Sequence, residues 1–170
     1  MSAPPDHRQR RLTAELRSLK QDTDEQNPKL FRLVSTSDGL STWKLAILPS
    51  TDSLYSGGVF ELELHFSESF PLEAPTARFT SEIYHPNVDS FSFVRGDILR
   101  SGQRAPVATA SMVVRCLLAL LDNPDLQGEA LNEAAAGLYL SHPEEYKKVV
   151  RASIEEAGTH ATSSHDDRSK

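Results

Sequence analysis

A chain of 170 residues with 38% apolar and 25% charged side chains has the size and composition of one globular domain with its own hydrophobic core. Its net charge of −6 argues against nucleic acid as a partner, because phosphate binding requires a basic excess. Its single cysteine, Cys116, excludes an intrachain disulfide and a multi-thiolate zinc site.

The longest apolar run, Val113 to Leu121, contains Arg115 and is too short to span a bilayer, so no membrane insertion is expected. Met1 to Arg11 lacks the apolar stretch of a secretory signal. The expected compartment is cytoplasmic, with the nucleus left open, and no cofactor or metal is expected.

Taken in chain order, residues 1–5 read as a disordered tail, 6–157 as the folded domain and 158–170 as a second disordered tail. His160, His165, Asp166 and Asp167 in the latter are scattered polar residues, not a metal site. Leu12, Leu16 and Leu19 form one stripe of a helix over about Asp6 to Gln21, with Arg8, Arg10, Arg11, Arg17 and Lys20 on its other face. That basic face is either solvated or a docking surface.

Strands follow at Lys29 to Val34 and Thr42 to Leu48, joined through the turn signal Ser37-Asp38-Gly39. Val59 to Phe66 alternates apolar and polar residues, the mark of a half-buried antiparallel strand. Pro71 and Pro75 keep the next segment out of a sheet interior, and a short strand follows at Ala77 to Thr80.

Residues Tyr84 to Pro106 show no periodicity, and loops of that length in compact domains are usually functional. Thr109 can cap a helix running to about Leu121, apolar almost all round and so expected to be buried. A further helix covers about Asn132 to Leu140. The last starts at Ser141, with Ser141 and Glu144 as a capping box, and runs to about Glu156. One helix, four strands, a long loop and three helices make an α+β fold with an antiparallel meander sheet.

Four segments in that order carry a family resemblance: Tyr55-Ser56-Gly57-Gly58-Val59-Phe60, Phe70-Pro71-Leu72-Glu73-Ala74-Pro75, Ile83-Tyr84-His85-Pro86-Asn87 and Asp97-Ile98-Leu99-Arg100. On them the chain resembles the ubiquitin-conjugating (E2) family, the UBC fold, over about residues 8–156. Ala74 stands where that family usually has proline. The resemblance implies a ligase-docking surface on Leu72 and the Pro106-Val107 loop, beside the helix carrying Arg10, Arg11 and Arg17. Glu73 reverses the charge usual there.

The resemblance also implies a catalytic cysteine eight residues after Asn87 and two before Asp97, and both counts reach Arg95. Gly96 replaces the leucine that usually follows it, and Arg104 stands for the loop tryptophan, before Ala105-Pro106. A guanidinium stays protonated and offers no lone pair for attack. Cys116, in an apolar helix, is expected to be a small buried hydrophobe. Without a thioester Asn87 has no oxyanion to support. Pro86 then serves by fixing φ, and His85 and Asn87 by capping backbone groups.

The reading that follows is a catalytically inactive protein-binding module. Its partner would be an active conjugating enzyme (E2), ubiquitin or a ubiquitin-like protein, or a ubiquitin ligase (E3). Two alternatives stay open: a structural subunit of a larger complex, and an enzyme with another nucleophile.

Overall fold

The apolar stripe of the first helix is what anchors it. In the computed structural model, which describes residues 7–25, 29–94, 109–127 and 130–163 with side chains as far as 156, α1 spans His7–Glu25. Leu12 and Leu19 are fully buried and Leu16 is half-buried. Glu15 and Thr23 share the buried face, and neither was expected there. Thr23 is satisfied within the helix by donating to the Leu19 carbonyl.

Four strands form the sheet: β1 Phe31–Thr36, β2 Thr42–Ile47, β3 Phe60–His65 and β4 Thr76–Phe79. Each pairs antiparallel with the next, in the order β1-β2-β3-β4. The period-two pattern of β3 is realised as anticipated: Phe60, Leu62 and Leu64 are buried, while Glu61 and His65 face solvent. The row Leu33, Leu45, Leu62 and Phe79 crosses the sheet in register and forms part of the inner face.

Two glycines before β3 are needed for different reasons. Gly57 has φ +86°, where a side chain is strained, while a Cβ on Gly58 would lie 2.6 Å from the Phe60 ring. In the β1–β2 turn the left-handed residue is Leu40, at φ 54°, and not the adjacent Gly39. The Leu40 carbonyl accepts the indole N–H of Trp43, a fully buried core residue, at 2.8 Å.

The helices close the domain: α2 Ala110–Asp122, α3 Glu133–Ser141 and α4 Pro143–Ser163. Thr109 caps α2 as expected, its hydroxyl accepting from the Met112 amide, and Asn132 caps α3 in the same way from Ala135. The observed order of one helix, four strands and three helices is the α+β architecture anticipated above.

Four expectations need correction. The capping box at Ser141 does not form. Ser141 closes α3, and Pro143 takes the first position of α4, where its missing N–H costs nothing. The His142 carbonyl then accepts from Glu145 and Tyr146, and Glu144 pairs with Lys147 instead. Helix α4 continues to Ser163, seven residues past the expected end, because the one glycine on the way, Gly158, does not terminate it.

Nor is α2 buried all round: Met112, Arg115 and Ala119 are exposed and Cys116 is only half-buried, because the helix packs by one side. Finally, the described part of the segment after Tyr84, as far as Val94, is not without structure. Phe93 bridges to Arg78 and Val94 to Val88, which lays Ser92 to Val94 against the free edge of β4. Isolated bridges of this kind leave no trace in local periodicity.

Candidate functional site

His85, Pro86 and Asn87 are all buried, and each is tied to a different part of the chain. The His85 Nδ1 accepts the Asn87 backbone N–H at 3.0 Å, which leaves Nε2–H to donate to the Leu120 carbonyl of α2 at 3.0 Å. Burial pushes the imidazole down to about 4, against the bond to Leu120, which favours the charged form. His85 is therefore neutral at physiological pH and donates through Nε2 to α2.

The Asn87 side chain forms a two-way pair with the Asp125 backbone. Its Nδ2 donates to the Asp125 carbonyl at 2.6 Å, and its Oδ1 accepts the Asp125 N–H at 2.9 Å. Asp125 in turn accepts the Gln127 amide through its carboxylate. The Pro86 carbonyl accepts the Asn132 N–H at 3.0 Å, which fixes the cap of α3 against the same tripeptide.

From the preceding residue, the Tyr84 carbonyl accepts the Tyr55 hydroxyl at 2.7 Å. Tyr55 in turn accepts from Tyr146 of α4 at 2.8 Å. Burial is the main cause that raises the pKa of both phenols, Tyr146 to about 12, so both stay protonated.

Past Asn87 the chain makes a tight excursion held by Asp89. Its carboxylate accepts the amides of Phe91 and Phe93, both at 2.9 Å. Ser92 sits at φ 65°, a conformation that favours glycine. The Val94 amide donates to Ala77 of β4 at 3.1 Å and the Phe79 amide to Ser92 at 2.9 Å. Phe91 and Phe93 are left largely exposed, with the Arg78 guanidinium stacked over the Phe93 ring. Arg95, Gly96, Asp97, Arg104, Pro106 and Val107 lie outside the described residues.

At the anticipated docking surface, Leu72 is 89% exposed and does not pack onto the core. Arg10 and Arg17 are exposed on α1. Arg11 is held differently: it pairs at 2.7 Å with the buried Glu15, whose other oxygen accepts the Ala110 N–H at the start of α2. Arg8 donates to the carbonyls of Phe66 and Ser67, which ties the start of α1 to the loop that leads to Leu72.

Sequence reasoning missed Glu15, Asp89 and Asp125, and it placed Arg8 on a solvated or docking face where the structure ties it to Phe66 and Ser67. Two signals were available: a carboxylate within the leucine stripe of α1, and an aspartate opening a short loop between apolar residues.

Among the described residues, no helix is long and apolar enough to cross a membrane, and no group of three His, Cys, Asp or Glu could hold a metal. A four-stranded meander flanked by one leading and three trailing helices, with a His-Pro-Asn segment knotting strand and helix layers together, defines a UBC-fold domain. The chain matches the family described as "Ubiquitin-conjugating enzyme" over residues 11–154, and it belongs to that family. Membership points to the ubiquitin pathway and to protein partners within it.

Proposed function

We propose that this member of the family is catalytically inactive and acts by binding another protein of the ubiquitin pathway. The observation that carries the reading is Arg95, reached both from Asn87 and from Asp97. Conjugation needs a thiolate that attacks an acyl donor, holds the acyl group as a thioester and releases it to an amine. A guanidinium, protonated up to a pKa above ~12, performs none of these steps.

The degenerate positions Gly96 and Arg104 point the same way. Leu72, Arg10 and Arg17 offer exposed apolar and basic groups for a partner.

The test is direct. The protein is mixed with activating enzyme, ATP and ubiquitin, and adducts are resolved with and without reductant. No reductant-sensitive adduct is expected. An adduct that disappears in Cys116→Ser would overturn the proposal, since Cys116 is the only thiol and is partly accessible. Capture of ubiquitin, active conjugating enzymes or ligases on the immobilised chain reads the binding half of the proposal. Recovery of none of them counts against it.

A further inference from the structure

Among the described residues β1 is an edge strand, since the sheet order gives its outward side no strand partner. Beside that edge an open cleft of about 330 Å³ lies between the last turns of α1 and the start of β1. Lys20, Thr23 and Asp24 line one side, and Lys29, Arg32 and Leu33 the other. Lys20, Lys29 and Arg32 are exposed, and no ion pair of the described residues involves them. The nearby Asp22 is already paired with Arg115. Three unpaired cations thus face one carboxylate, Asp24, on a chain whose net charge is −6. Thr23 is not a free donor, because its hydroxyl is bonded to Leu19.

A cation on an edge strand, here Arg32 with Lys20 of α1 and Lys29 beside it, discourages pairing between copies of the same chain. The same arrangement selects for a strand of opposite charge. Half-buried Leu33 in the lining adds apolar surface that a small inorganic anion would not use, and Val34, 55% exposed, follows it on β1 outside the cleft. An edge strand supplies backbone donors and acceptors to an extended peptide, and alternate side chains then set specificity.

We propose that this cleft takes an extended, carboxylate-rich segment of a protein partner, aligned along the β1 edge with its acidic side chains toward Lys20, Lys29 and Arg32. The inference names a surface for the protein-binding reading above and rests on it. The two fail separately. Thioester formation would refute inactivity and leave the cleft intact, whereas a chain that forms no thioester and ignores the acidic peptide refutes the cleft alone.

The probe is a fluorescein-labelled peptide of alternating glutamate and valine, titrated with the full chain and read by polarisation, with amide hydrogen exchange read on the same mixture. Saturable binding that weakens with salt is expected. Lys20→Glu with Arg32→Glu should weaken it by about tenfold or more, and Asp24→Asn should tighten it several-fold. The Phe31–Thr36 amides should gain protection. These side chains are exposed, so circular dichroism of the variants should match the parent. No saturable binding overturns the proposal. So does a variant series without effect, equal competition by tripolyphosphate, or unchanged exchange along β1.

Discussion

Protonating His85 would place a charge where there is no solvent and would disrupt its bond to the Asn87 amide, because Nδ1 would become a donor facing a donor. The group has a folded pKa of about 4 and an unfolded value of about 6.5. The folded state therefore binds the proton less readily than the unfolded chain. Its contribution to stability is fully present above pH ~6.5 and is lost as pH falls toward ~4. Between pH 7.5 and 4.5 the loss from this residue should be about 2–3 kcal/mol. Urea unfolding at both pH values, for the parent and for His85→Gln, isolates the effect from the titration of carboxylates. The variant should show a flatter pH dependence by that amount. Identical slopes would mean that the imidazole is solvated or charged in the folded state. That His85 and Asn87 would cap backbone groups and that Pro86 would fix φ was legible from residue types alone. Which groups they cap was not, since Leu120 and Asp125 lie 35 and 38 residues downstream.

The elements show the same division between local and distant causes. The α1 stripe, the β3 alternation and the Thr109 cap each follow from neighbours within one element, and each was readable in the sequence. The capping box at Ser141 was a local pattern overruled by a stronger local one, Pro143 at a helix start. Glu15 stood out as a carboxylate within the leucine stripe, but its partner was unreadable, because Ala110 is 95 residues away. Its carboxylate satisfies an amide that the first turn of α2 cannot pair internally, and it neutralises Arg11 at the α1–α2 contact. Glu15→Gln keeps an acceptor oxygen but loses the charge, and should cost about 1–2 kcal/mol. Glu15→Ala loses both and leaves Arg11 and the Ala110 amide without their partner, at a cost of roughly 2–4 kcal/mol. Chemical denaturation of the two variants provides the ranking. Equal losses would show that the bond to Ala110 contributes little and that the ion pair accounts for the effect.

At the scale of the whole molecule, Tyr84 to Asn87 is where separate parts of the chain converge. His85 holds α2, Asn87 holds the segment after it, Pro86 holds the start of α3, and the Tyr84 carbonyl reaches α4 through Tyr55 and Tyr146. If the chain carries no acyl group, these bonds are the reason such a segment matters, and its replacement should damage the fold and not a reaction. Asn87→Ala removes both bonds to Asp125 and strands two backbone groups against a newly opened space. A loss of roughly 2–4 kcal/mol in unfolding free energy is expected. Amide protection should fall at Asp125, Asn132 and Ala135 before it falls in the sheet, because the tie between α2 and α3 opens first. A variant as stable as the parent, with unchanged exchange at those amides, would show that the segment does not knit the helices together. The buried asparagine would then be better explained by chemistry than by architecture.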